Sequence, residues 1–134
     1  MIKSIVFDFK GVILDSNTHQ INEDMIELLQ DLHETDFNLF LFSNTSKYAI
    51  NMLDAKYHFL KYFKKVILVE DTGLSKPSDA AFENLLKIVE ASVEEIAYVD
   101  DGMDNRRQAK KYGMTSLSFV DADRLRISLA SLDI

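Results

Sequence analysis

The chain has 134 residues, 47% of them hydrophobic and 28% charged, which suits one unit over 1–134 with a buried core and a soluble surface. The absence of cysteine excludes disulfides and thiolate chemistry and agrees with a cytoplasmic setting. A net charge of −7 opposes general attraction to nucleic acid or anionic membranes. No apolar run approaches the ~20 residues of a membrane span, and the opening MIKSIVFDF lacks a signal-peptide pattern.

Short apolar runs alternate with longer amphipathic stretches. Ser4–Phe7 reads as a buried strand ending at Asp8. Asn22–His33 places Met25, Ile26, Leu28, Leu29 and Leu32 at helical spacing, with acids near its start. Phe37–Phe42 is a second strand ending in Ser43, and Thr45 or Ser46 caps a helix over Tyr48–Ala55. Val66–Val69 is the third strand, and the loop Glu70–Pro77 follows it. Ser78 or Asp79 caps a helix over Ala80–Ala91. Ile96–Val99 is the fourth strand and runs into Asp100-Asp101. A helix over Asn105–Tyr112 closes at Gly113, Ser116–Val120 is a fifth strand, and Ala122–Leu132 forms a last helix. This alternation predicts an α/β sandwich with a mainly parallel sheet.

Asp8, Ser43 and Asp100-Asp101 each stand at the C-terminal end of a predicted strand, the edge at which open α/β sheets bind ligands. Carboxylates gathered at one point repel unless a cation holds them, and oxygen donors of this kind suit Mg²⁺. A serine hydroxyl and the Lys76 ammonium supply donors for phosphate oxygens, while an aspartate beside the metal can attack phosphorus. The three histidines, His19, His33 and His58, show no metal-ligand spacing, and Phe59, Tyr62 and Phe63 read as core or interface packing. Arg106, Arg107, Lys110 and Lys111 read as a solvated helix face.

IVFDFKGVILDS at 5–16, LFLFSN at 39–44, GLSKPSDAAFENLLKIV at 73–89 and EEIAYVDDGMDNRRQAKKYGM at 94–114 resemble, in order, the four motifs of the haloacid dehalogenase (HAD) superfamily. The resemblance covers almost the whole chain. It implies a three-layer Rossmann-like sandwich with a mainly parallel five-stranded sheet. The spacing between motifs leaves no room for a separate cap domain.

By position, the resemblance implies that Asp8 is the nucleophile and a Mg²⁺ ligand, and that residue 10 gives the metal its backbone carbonyl. Ser43 would bind phosphoryl oxygens with Asn44 nearby, and Lys76 would neutralise phosphate charge and orient Asp8. Asp101 would be the second metal carboxylate, supported by Asp100 and Asn105. The choice between the adjacent aspartates turns on a one-residue shift, and Asn105 reads equally as a helix cap.

Position 10 departs from the pattern. Phosphatases of the superfamily usually carry a second aspartate there, which protonates the leaving oxygen and then activates water. This chain has Lys10, which on extended backbone faces the same way as Asp8. A lysine has a reference pKa of about 10.4 and makes a poor base, although as a cation it can bind phosphate, assist a leaving group or pair with Asp8. The main expectation is therefore a Mg²⁺-dependent phosphatase-type hydrolase of altered or reduced activity. The alternative is an inactive phosphate-binding or protein-interaction domain on the same scaffold. A dehalogenase ranks below both because no cap is visible. A capless site suits a phosphorylated small molecule, a phosphorylated macromolecule, or a partner chain (another copy included) acting as lid.

Overall fold

The structure is a computed structural model that describes residues 1–132, two short of the expected 1–134 unit. Five strands, β1 (Ser4–Phe7), β2 (Asn38–Ser43), β3 (Lys65–Leu68), β4 (Ile96–Asp100) and β5 (Thr115–Ser118), form one parallel sheet in the order β3-β2-β1-β4-β5. Six helices accompany them: α1 (Glu23–Glu34), α2 (Lys47–Tyr57), the single-turn α3 (Val69–Thr72), α4 (Asp79–Val89), α5 (Met103–Lys111) and α6 (Ala122–Leu132).

Because successive strand residues face opposite ways, the central strands feed two separate cores. Ile5, Phe7, Leu39, Leu41, Ala97 and Val99 pack with residues of α1, α2 and α6. Val6, Phe40, Phe42, Ile67, Ile96 and Tyr98 pack on the other face with α4 and α5. The outcome is the α/β sandwich with a parallel sheet that the apolar runs predicted, in the three-layer form without a separate cap that the family resemblance and motif spacing implied. Among the described residues no helix is long and apolar enough to cross a membrane.

Local chemistry explains where the elements start and stop. In α1 the buried residues Met25, Leu28, Leu29 and Leu32 repeat at helical spacing, and Glu23 and Asp24 sit at the positive end of its dipole. Ser46 and Ser78, rather than Thr45 and Asp79, cap α2 and α4, accepting the N–H groups of Ala49 and Ala81 at 3.2 Å each. Gly113, at φ 95°, takes the left-handed turn that stops α5. Several element edges shift, among them β5, which covers Thr115–Ser118 rather than Ser116–Val120, and α4, which ends at Val89 rather than Ala91. Val69 leaves β3 to begin α3 inside the predicted loop, and α5 begins at Met103 with Gly102 as its cap. Asn105 is therefore not a cap.

The order of strands fixes the site. From β1 the chain passes to α1 in one helical layer, and from β4 it passes to α5 in the other. Neighbouring strands whose connections diverge in this way open a crevice at their carboxyl ends. Asp8 follows β1, and Asp100 ends β4, so both stand at that crevice.

The aromatic centre of the second core stiffens this region. Phe82 is fully buried, with ring centroids 5.3 Å from Phe42, 5.5 Å from Tyr98 and 6.4 Å from Tyr112. Phe82→Ala should lower unfolding free energy by about 3–5 kcal/mol, read by urea denaturation. A loss under about 1 kcal/mol would mean that this core carries little of the fold.

Candidate active site

The site is organised around a buried lysine. Lys76, 7% exposed, reaches from the loop before α4 under the ends of three strands. Its ammonium donates to Asp8 Oδ1 at 2.9 Å, to the Phe42 carbonyl at 2.9 Å and to Asp100 Oδ2 at 3.2 Å. It also lies 5.1 Å from the centre of the Phe42 ring. All three ammonium protons thus have acceptors. The lysine backbone is fixed from β2: Lys76 N–H donates to Asn44 Oδ1 at 3.0 Å, and Asn44 Nδ2 donates to the Lys76 carbonyl at 3.1 Å. Asn44 borders the cavity as expected, but its amide is engaged with the backbone of Lys76.

Asp8 continues the β1–β4 ladder by one residue, donating its N–H to the Val99 carbonyl at 3.0 Å. Burial pushes its carboxyl up to about 7, with Lys76 opposing the rise and Asp100 adding to it. Asp100 is fully buried and more heavily hydrogen-bonded. Its Oδ2 accepts from Tyr98 OH at 2.7 Å, Asn105 Nδ2 at 3.1 Å and Lys76, and its Oδ1 accepts from Gly102 N–H at 2.9 Å. Burial works against its ionisation, but Lys76 and the donor set outweigh it and hold the carboxyl below the ordinary range. Burial, followed by the neighbouring Asp100, raises Asp101.

Asp101 meets the loop after β1 at Gly11, whose φ is 91°. A Cβ there would fall inside the Asp101 carboxylate, so the close approach requires glycine. Asp8, Asp100 and Asp101 each present an oxygen, and these oxygens lie within 4.8 Å of one another. Such a set of oxygen donors fits a hard divalent cation.

Asp8, Asp101 and Lys76 border a cavity of about 500 Å³, shared with Lys10, Ser16, Ser43, Asn44, Thr45 and Asn105. Ser43 is buried at the end of β2, where its Oγ accepts the Thr45 N–H at 3.0 Å. Lys10 is exposed and lines the same cavity as Asp8. It does not pair with Asp8, whose cation is Lys76. Asn105 supports Asp100, one of the two roles open to it from the sequence. Arg106 departs from the solvated-face expectation: it is half-buried and donates to the Asp100 carbonyl at 3.3 Å. Lys111 is drawn to Asp79 at 3.1 Å, whereas Arg107 and Lys110 are exposed. Phe59 and Phe63 are core, against Phe9 and Phe7, and Tyr62 packs beside His33.

Sequence reasoning missed Tyr98, Gly11, Ser16 and Thr45 as site-forming residues. Tyr98 was findable, since it stands two residues before Asp100 on one strand and must face the same way. Gly11 carried a weaker signal, a glycine in the turn after a strand-end aspartate. Ser16 carried none.

Known proteins share this fold. The sequence profile of a hydrolase family, the haloacid dehalogenase-like hydrolases, matches residues 5–113. Drimenol cyclase drtB of Aspergillus calidoustus is 32% identical over 90 residues, 67% of this chain and only 17% of that protein. The chain therefore spans less than a fifth of that curated relative. A HAD-like hydrolase from Porphyromonas gingivalis superposes with a TM-score of 0.83 at 17% identity, covering 98% of each chain. A HAD family enzyme from Bacteroides thetaiotaomicron, in complex with magnesium and inorganic phosphate, superposes with a TM-score of 0.78 at 16% identity, over 88% of this chain and 94% of its own. Because the profile runs through the three strand ends and the lysine loop that build the site, the chain belongs to the haloacid dehalogenase-like hydrolases.

Proposed function

We propose that the chain catalyses Mg²⁺-dependent phosphoryl transfer of the phosphatase type, through an aspartyl-phosphate on Asp8. The observation that carries this reading is Lys76 bridging Asp8 and Asp100 at the floor of a cavity that also holds Asp101 and Ser43. The magnesium and phosphate complex of the similar Bacteroides thetaiotaomicron enzyme supports it.

Asp8, Asp101 and the Lys10 carbonyl would hold the metal, with Asp100 positioned behind them by Tyr98, Asn105 and Gly102. When bound, Mg²⁺ would offset the carboxylate charges and that of the phosphoryl oxygens. Lys76 holds Asp8 Oδ1, which leaves Oδ2 for attack on phosphorus. Ser43 Oγ–H then donates to a phosphoryl oxygen as the bond to the leaving group breaks, while the Lys76 ammonium, held by its three acceptors, offsets the phosphoryl charge through space. Lys10 takes the place of the acid/base carboxylate, so both proton transfers go without it. The same substitution favours the second reading, a phosphate-binding domain without turnover.

An aryl phosphate assay separates the two. Wild type should show slow turnover that requires Mg²⁺, Asp8→Asn should show none, and Lys10→Asp should gain about 10²–10⁴-fold. Silence in wild type and in Lys10→Asp, with no Mg²⁺ binding by titration, would overturn the enzymatic reading. Excess Mg²⁺ should also raise the melting temperature, because a ligand at about 100 times its Kd adds about 2.7 kcal/mol.

The raised Asp8 carboxyl gives a pH test in metal-free buffer. Between the ordinary aspartate range and about 7, the folded state holds a proton on Asp8 that the unfolded chain has released. Asp8 therefore subtracts stability as pH rises through that window and no further above it. Melting curves should show Asp8→Asn gaining on wild type from pH 4 to pH 7. A constant difference across that window would contradict the buried, strained carboxylate.

A further inference from the structure

Lys10 stands on the reaction side of a cavity that contains no substitute for the carboxylate it displaces. The only carboxylates among the described residues lining that cavity are Asp8, the nucleophile, and Asp101, a candidate metal ligand, and no histidine lines it. Lys10 enters none of the ion pairs formed among the described residues. Its backbone is pinned by a bridge to Leu14, and Gly11 N–H bonds the Leu14 carbonyl at 2.7 Å. Lys10, with no ion pair among the described residues, therefore lines the cavity two residues from Asp8, while Lys76 is fully engaged with its own three acceptors.

From this we infer that the substrates are phosphoryl compounds whose leaving group departs as a stable anion, namely acyl phosphates and phosphoanhydrides, with Lys10 as the residue that selects them. The inference rests on the phosphoryl-transfer reading of Asp8. An alkyl phosphate needs a proton on its departing oxygen, since an alkoxide is a poor leaving group. A carboxylate or a phosphate leaves without one. In the first step an Asp8 carboxylate oxygen bonds to phosphorus. The bond from phosphorus to the leaving oxygen breaks, its electron pair stays on that oxygen, and the Lys10 ammonium offsets the resulting charge. In the second step water bonds to phosphorus, the electron pair of the phosphoryl bond returns to Asp8, and the water proton passes to the phosphate product. An ammonium has no lone pair with which to assist that proton, so the second step is the slower one and the aspartyl-phosphate accumulates.

The test compares acetyl phosphate and pyrophosphate with glycerol phosphate, in Mg²⁺, for wild type, Lys10→Asp and Lys10→Gln. Wild type should favour the first two by at least about 10²-fold in kcat/KM, the lower end of what a proton-donating side chain contributes. Intact-protein mass spectrometry after acid quench should find phosphorylated wild-type chain during acetyl phosphate turnover. Lys10→Asp should gain on glycerol phosphate and lose the phosphorylated species, while Lys10→Gln should lose rate on acetyl phosphate without gaining on the ester. Circular dichroism checks that both variants fold, as substitution of an exposed side chain permits. Equal use of ester and anhydride by wild type, or no change in that preference in Lys10→Asp, would overturn the inference. Beryllofluoride binding to Asp8 separates the two levels: bound beryllofluoride with an ester preference overturns this inference alone, and failure to bind overturns the phosphoryl-transfer reading with it.

Discussion

Lys76 is a cation taken out of water and placed between two aspartates, beneath the ends of three strands. Burying a charge costs several kcal/mol even after the surroundings relax, and the cost is recovered only with good geometry and complete hydrogen bonding. Each requirement can be traced here. The ammonium has three acceptors, its backbone is clamped on both sides by Asn44, and Asp100 opposite it is satisfied by Tyr98, Asn105 and Gly102. Among the described residues no buried side-chain nitrogen or oxygen lacks a partner. Asp8, Ser43, Asn44, Lys76 and Asp100 come from separate parts of the chain, so this network forms only when β1, β2, β4 and the loop before α4 are all in register.

The two aspartates nearest the lysine do not share it equally. Asp100 has four donors and is held ionised. Asp8 has Lys76 and the repulsion of Asp100, and burial dominates its ionisation. Asp100 therefore acts as the fixed charge that keeps Lys76 aimed, and Asp8 is the carboxylate left with fewer donors. Asp101 lies nearer solvent and is placed by a different device, close approach to Gly11. That division bears on which of the adjacent aspartates can serve a metal. The oxygens of Asp100 are already crowded with donors, whereas Asp101 is the less encumbered carboxylate beside Asp8.

Most of the fold was legible in the sequence because the central strands β1, β2 and β4 are short, apolar and buried, and each ends at or runs into a polar residue. β1 and β4 read as SIVF and IAYV followed by aspartate, and their ends locate the site directly. Element edges were less legible wherever a side chain's partner is remote. Whether Thr45 or Ser46 caps α2 depends on which hydroxyl faces the Ala49 N–H. Val69 could close a strand or open a helix, and its local sequence favours neither. Arg106 was hidden for a related reason: its guanidinium reaches the Asp100 carbonyl only once β4 and α5 have packed, and no local pattern marks that contact. Tyr98 differs, because strand alternation alone places it on the same side as Asp100.

The charge balance of the cluster also bears on whether this is a working site or a retained shell. Three acids and one buried lysine stabilise a fold poorly, since well-packed apolar residues in the same volume would often do as well or better. A scaffold that needed only its shape would gain stability by losing Asp8, whose ionisation burial opposes, or by filling the space around Gly11. Instead Gly11 lets the Asp101 carboxylate approach where a Cβ would stand, and Asn105 and Tyr98 direct polar atoms at Asp100 rather than at solvent. Interactions of that kind hold charges in place at the expense of stability, as a reaction centre requires. Lys10 does not relax the arrangement, because it leaves Lys76 and its acceptors untouched. On the phosphoryl-transfer reading proposed for this site, its effect would be confined to proton transfer at the leaving oxygen and at water, and so to the choice of substrate and the lifetime of the phosphorylated aspartate.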